Sequence, residues 1–232
     1  MMFLKFGKKE HLEQLKNGEV HFRPIETFQE DVTTFRGDAM EGKVYYDLRH
    51  PLIINGLDIS PFAKDVVMSY DMGGTILTFS AAILCKGNCH RLESGLYAPN
   101  ESFIEEMRQF GDWFLLFSGY ELITDLKAAL KTKEASIAWH PIHYCDKRNP
   151  DEVQKYFSSC PEGDEKCAHL FLKDNSYSKQ YEWRMAIIDV HKQFPISSNG
   201  GTNIKTGFYT KMPVMETNVL HTLECDEAYL FD

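Results

Sequence analysis

The chain has 232 residues, 43% hydrophobic and 13% aromatic, with 25 Lys and Arg against 34 Asp and Glu for a formal charge of -9. That apolar content excludes a disordered chain despite a mean hydropathy of -0.36, and an acidic balance without any Lys or Arg run disfavours bulk nucleic-acid binding. No stretch reaches the roughly 18 apolar residues of a bilayer span, and Met1-Met2-Phe3-Leu4-Lys5 lacks the basic-then-apolar order of a signal peptide. The expected location is therefore cytoplasmic, with the six cysteines reduced and residues 1–232 forming a single domain.

In chain order, residues 2–6 predict a short strand. A helix follows, carrying Leu12 and Leu15, stopped by Gly18, and a second strand runs from Glu19 to Phe22. From Pro24 to about Gly42 periodicity is lost, and Phe35-Arg36-Gly37-Asp38-Ala39-Met40-Glu41-Gly42 has the mixture of charge and glycine of a structured loop. Val44–Tyr46 and Ile53–Leu57 suit short strands, and Ile76–Ile83, entered through Gly73-Gly74, suits a longer one. Ser102 with Glu105 has capping-box spacing ahead of an apolar helical face from Phe103 to Phe110. A buried strand is predicted over Trp113–Phe117, an amphipathic helix through Leu122, Ile123, Leu126 and Leu130, and a strand over Ser136–Tyr144. Asn149-Pro150-Asp151-Glu152 is a helix start, with Asn as cap and Pro in the first position. Tyr181–Val190, Lys205–Tyr209 and Val219–Leu223 complete the expected strands, with a turn at Asn199-Gly200-Gly201. Strand outweighs helix in this reading.

The segment with the most chemistry is Tyr177-Ser178-Lys179-Gln180-Tyr181-Glu182-Trp183-Arg184. On a strand, the period of two puts Gln180, Glu182 and Arg184 on one face and Trp183, Met185 and Ile187 on the other. Three polar groups on one face of a buried strand have to be paired or to line a cleft. A Glu182–Arg184 ion pair at a sheet edge satisfies the first condition, and a catalytic cleft the second.

Gln180-x-Glu182 resembles the Gln/Glu-x-Glu motif of ADP-ribosyltransferases, and Leu77-Thr78-Phe79-Ser80 is similar to that family's Ser-Thr-Ser-like strand. The opening strand, helix, Gly18 and Glu19–Phe22 resemble the start of DarT-type and PARP-type transferases. In outline the chain also resembles a broad group of bacterial proteins with an acidic loop like Asp38-Ala39-Met40-Glu41 and a terminal Tyr-x-x-Gln-x-Glu-Trp-Arg strand. The resemblance implies an α+β domain with a central, mostly antiparallel split sheet flanked by helices, and NAD as substrate. It implies transfer of ADP-ribose to a macromolecular or small-molecule acceptor, or NAD hydrolysis, in a toxin or phage-defence setting with a possible cognate inhibitor. By the same resemblance Glu182 is catalytic and Gln180 orients the acceptor. A fixed carboxylate on the ribose 2′-hydroxyl stabilises the oxocarbenium-like charge left when nicotinamide departs. Thr78 and Ser80 shape the pocket, with Arg184 beside them. The family's first strand carries His or Arg where this chain has Lys5; the resemblance keeps Lys5 as a candidate dinucleotide contact and adds His21 or Arg23 on the next strand as the positive group. The alternative is a non-catalytic nucleotide- or protein-binding module on the same fold.

Two other chemistries were weighed. Cys85, Cys89 and His90 put two thiols and an imidazole within six residues, but the spacing is not that of a standard zinc knuckle, and no metal is expected. No Gly-x-Ser-x-Gly elbow, Walker loop or Gly-x-Gly-x-x-Gly occurs, which removes the commonest hydrolase, NTPase and dinucleotide-fold readings.

Overall fold

The structure, a computed structural model, describes residues 1–31, 37–69, 72–161, 166–198 and 200–231. It opens with β1 (Met2–Gly7), α1 (Lys9–Lys16) and β2 (Glu19–Pro24), as the sequence predicts. Gly18 stands between helix and strand with φ at +83°, where a β-carbon would also lie 2.6 Å from the Phe208 carbonyl oxygen, so only glycine fits. One short helix, α2 (Glu26–Glu30), interrupts the expected loop. Phe35 and Arg36 lie outside the described residues, and Gly37–Gly42 is irregular, as expected.

Three short ribbons follow. β3 (Lys43–Tyr45) pairs with β6 (Val67–Ser69), and between them β4 (Ile53–Ile54) and β5 (Leu57–Asp58) form a hairpin. Its turn, Asn55-Gly56, has both residues at positive φ, 51° and 80°, the backbone that a two-residue hairpin demands. β7 (Thr75–Ile83) is the long apolar strand expected, followed by the ribbon β8 (Cys89–Arg91) and β9 (Tyr97–Pro99). α3 (Glu101–Arg108) begins one residue ahead of the predicted box, with Asn100 and not Ser102 in the cap position. β10 (Trp113–Ser118) leads straight into α4 (Gly119–Leu130), where the Ser118 hydroxyl accepts from the Glu121 amide.

In the last third, β11 (Ser136–Pro141) and β12 (His143–Cys145) divide what reads in sequence as one strand. α5 (Pro150–Ser159) is capped by Asn149, which accepts from the Asp151 amide, as the motif predicts. β13 (Leu172–Asp174), β14 (Glu182–Asp189), β15 (Thr202–Lys205) and β16 (Met215–Glu216) complete the strands. Three expectations are corrected: Ile53–Leu57 is not one strand but turns back at Asn55-Gly56, the strand placed at Lys205–Tyr209 lies earlier, ending at Lys205, and Val219–Leu223 falls largely in a 3-10 helix, Thr217–Thr222. Asn199 of the expected turn lies outside the described residues.

The fold is α+β around one large sheet ordered β11-β14-β7-β1-β10-β16, with β2 and β15 attached beside β7 and every pairing antiparallel. One edge of β7 is taken by β14. The other is divided: Leu77 and Thr78 pair with β2, while Ala82 and Ile83 pair with β1. Among the described residues no helix is long and apolar enough to cross a membrane.

The two faces of this sheet differ. Phe3, Phe79, Phe117, Trp183, Met185 and Ile187 point into one continuous apolar core under α1 and α4, each fully buried apolar side chain contributing about 1.5–3 kcal/mol. On the opposite face the apolar packing is divided. Ile76, Ala186 and Ile188 belong to one cluster, and Leu4, Ala82 and Leu84 to another. Between them, at Ser80, Glu182 and Arg184, the face is polar.

Candidate functional site

Strand periodicity carries Glu182 and Arg184 to the same face of β14, but Gln180 is not on that strand. Asn175–Gln180 is a 3-10 helix, and Tyr181 turns the chain in the left-handed region with φ at 46°. A non-glycine residue there has to be held. The Tyr181 hydroxyl donates to the Gly87 carbonyl oxygen at 2.9 Å, and its ring meets Phe103 edge-on. The expectation that Gln180 shares a strand face with Glu182 is therefore corrected. Its side chain reaches Glu182 by another route, accepting from the Lys173 ammonium at 3.1 Å.

The Glu182 carboxylate accepts four hydrogen bonds. Oε1 accepts from the Ser80 hydroxyl at 2.5 Å and from Arg184 Nε and Nη2 at 3.1 and 2.7 Å; Oε2 accepts from Lys173 Nζ at 2.7 Å. Arg184 then turns its remaining edge to Glu41 Oε1 at 2.5 Å and to the Leu170 carbonyl oxygen at 2.6 Å. Lys173 lies 3.6 Å from Glu41 Oε2 and stacks over the Tyr177 ring. Beyond this quartet, Lys147 donates to the Met40 carbonyl oxygen at 2.5 Å, and Asp38 accepts from the Met40 amide at 2.8 Å. Tyr144 reaches in to accept from the Glu182 amide at 2.9 Å.

All of these charges are buried: relative exposure is 1% for Glu41, 4% for Lys173, 7% for Glu182 and 3% for Arg184. Isolated charges in such a place would neutralise. Here the signs balance, Asp38, Glu41 and Glu182 against Lys147, Lys173 and Arg184. Burial alone would raise Glu182, but Arg184 and Lys173 overcome it and hold the carboxyl well below the usual range. The same attraction outweighs burial for Arg184 and Lys173, both held above their ordinary values. Asp38 is raised by burial and by Glu41, against the pull of Lys147. His169, buried nearby, is lowered to about 4 by burial and then by Lys147.

The remaining expected site residues divide. Ser80 and Arg184 are directly opposite in the β7–β14 register and meet Glu182. Thr78 is opposite Arg23 across β2, on the same face, and its hydroxyl donates to the Arg23 carbonyl oxygen at 3.3 Å. His21 lies toward the sheet edge, bonded to Asn203 of β15 at 2.7 Å and lowered chiefly by burial. Lys5 corrects the reading outright: it pairs opposite Leu115 and lies over the Phe79 ring at 4.6 Å, on the face of the sheet away from Glu182. Its ammonium donates to the Ser80 carbonyl oxygen, while the Ser80 hydroxyl points the other way. Cys89 is buried, its thiol pushed up to about 12 by burial and by neighbouring thiols, and none of the six cysteines is in a disulfide. Among the described residues no three His, Cys, Asp or Glu side chains gather closely enough to hold a metal ion.

Sequence reasoning named the Asp38–Glu41 loop but missed that it supplies buried counter-ions, and missed Lys147, Lys173 and Tyr144 altogether. A signal existed for Lys173, a single charge directly after the apolar run Leu170-Phe171-Leu172. Two clefts, of about 230 and 190 Å3, open on the covering layer, and neither has Glu182 in its lining. No protein-family model, no curated protein and no solved structure matches this chain.

Proposed function

We propose that this chain is a non-catalytic binding module on an ADP-ribosyltransferase-like fold, in which Glu182 is an internal counter-ion that clamps the covering loops to the sheet. The observation that carries this reading is that both oxygens of Glu182 are occupied, by Ser80 and Arg184 on one and Lys173 on the other. A carboxylate that stabilises a ribosyl cation has to present an oxygen to the substrate's 2′-hydroxyl. Oε2 keeps a second lone pair, but at 7% exposure a substrate reaches it only where Lys173 gives way, leaving Glu41 and Glu182 to share a single cation. Breaking one partner out of a buried ion network costs about 3–5 kcal/mol, more than one hydrogen bond to substrate returns.

A second reading, transfer of ADP-ribose from NAD to an acceptor or hydrolysis of NAD, is favoured by one observation. The Ser80 hydroxyl reaches Glu182 Oε1 between adjacent strands, joining the two motifs on which the family resemblance rests. The test is nicotinamide release from NAD by the wild-type chain, Glu182→Gln and Ser80→Ala, with and without protein and nucleic-acid acceptors. The binding-module reading expects no release from any of them and a loss of stability in Glu182→Gln. Release by wild type that vanishes in a folded Glu182→Gln hands the case to the transferase; Ser80→Ala, which keeps every charge, provides a folded comparison if Glu182→Gln does not fold.

A further inference from the structure

The larger cleft lies beside this clamp, where the end of β11 and the start of β12 meet the C-terminal half of α5 and the 3-10 helix Ala168–Phe171. It is close to the polar belt without being part of it: His140 pairs opposite Arg184, and the Ile142 amide donates to the Glu182 carbonyl oxygen at 2.8 Å. In a chain with 25% charged residues, the ten described residues that line it include no Asp, Glu, Lys or Arg.

We propose that this cleft binds an uncharged, planar heteroaromatic ring of nucleobase size. Its walls are rings. On one side His143 is stacked on Tyr156, with centroids 4.6 Å apart and an interplanar angle of 14°. On the other, His140 meets Phe171 edge-on at 5.0 Å and 74°. Flat rings in this disposition offer a guest both a face and an edge, the two geometries in which aromatic groups attract. The volume, about 230 Å3, is below the roughly 300–1,000 Å3 of sites for drug-sized ligands and suits one small flat ring system.

The polar atoms agree with a neutral guest. Tyr156 donates its hydroxyl to the Ala168 carbonyl oxygen at 3.1 Å, and the Ser159 hydroxyl and Cys160 thiol are both directed to the Tyr156 carbonyl oxygen. These bonds brace the wall and leave the recognition to imidazole. The His143 ring nitrogens have no hydrogen-bond partner among the described residues, and although the residue is exposed to solvent, partial desolvation of its ring lowers it toward the neutral form. Neutral imidazole presents one donor and one acceptor, which is the pattern along the edge of a nucleobase.

The inference rests on the binding-module reading, which nicotinamide release tests separately. The probe is adenine, titrated into the full chain and followed by saturation-transfer NMR and calorimetry, with AMP in parallel. Saturable adenine binding is expected, with AMP no tighter because the lining offers no cation. Two variants locate it: His143→Ser removes the stacked edge, and Cys160→Phe fills the cleft. Each is expected to weaken adenine at least about tenfold, the loss of one base–aromatic stack, with the thermal transition of His143→Ser unchanged. No saturable adenine binding by wild type overturns the proposal, as does binding that survives both variants or that AMP improves tenfold.

Discussion

The two faces of the central sheet solve the same problem in opposite ways. Under α1 and α4 the strands bury phenylalanines, Trp183 and Met185 in one core whose cohesion is non-directional. Across the same strands, one residue further along, Ser80, Glu182 and Arg184 bury full charges whose cohesion depends on each partner being present. An apolar core tolerates graded change, whereas a balanced ion network fails when one member leaves. The comparison teaches that buried charge here specifies which loops cover the sheet, since Glu41 arrives from the 37–42 loop and Lys173 from β13.

The largest effect expected is therefore on the charged face. Lys173→Met should cost about 3–5 kcal/mol in chemical denaturation, because it leaves Glu41 and Glu182 with Arg184 alone. Lys173→Met with Glu182→Met should cost less than the sum of the two single changes, by a double-mutant cycle. Additive losses would break the contrast between the faces.

On the apolar face a steric change should do less. Gly119 opens α4 beside Phe3, and a β-carbon there would lie 2.0 Å from the ring. Gly119→Ala should cost about 1–3 kcal/mol of overpacking, read as a lower midpoint with an unchanged denaturant slope.

Acid sharpens the comparison further. His169, lowered to about 4, stays neutral in the folded chain where the unfolded chain takes up a proton below about pH 6.5. Stability should therefore fall as pH drops from 6.5 towards 4. Below the ordinary carboxylate range Glu182 adds to the loss, since its proton is refused by the folded state. Asp38, raised by burial, works the other way. Melting temperatures between pH 7 and pH 4.5 should decline, less steeply in His169→Gln; a flat profile would remove His169 from the account.

The smallest effect belongs to exposed charge. Arg49 contacts Asp47 and Asp151 at 2.8 and 2.7 Å, all on the surface. Arg49→Ala should leave the melting midpoint where it was, since solvent and salt screen such pairs.

Legibility in the sequence follows the same division. Local signals carried the elements: Gly18 as a stop, Asn149 as a cap and the alternation around Trp183 each act through neighbouring residues. Glu182, Arg184 and Ser80 could be picked out because a strand reports its own faces. Glu41 and Lys147 could not be placed, since Arg184 finds Glu41 across 143 positions and Lys147 finds Met40 across 107, spans over which no periodicity runs. Gln180 was misplaced because nothing in Lys179-Gln180-Tyr181 announces that tyrosine will adopt a left-handed backbone. Lys5 was named by its place on the first strand alone, and parity turns its side chain to the Phe79 face, away from Glu182.

The divided edge of β7 carries a consequence for how the chain is made. As the polypeptide leaves the ribosome, β1, β2 and β10 can gather around β7 early, but its remaining edge waits for β14, whose residues are translated about a hundred positions later. Until then a nine-residue apolar ribbon has one side open to any passing strand. Nascent chains halted before residue 182 should therefore be the species that chaperones hold and that self-associate, while chains released after residue 189 can cover that edge of β7.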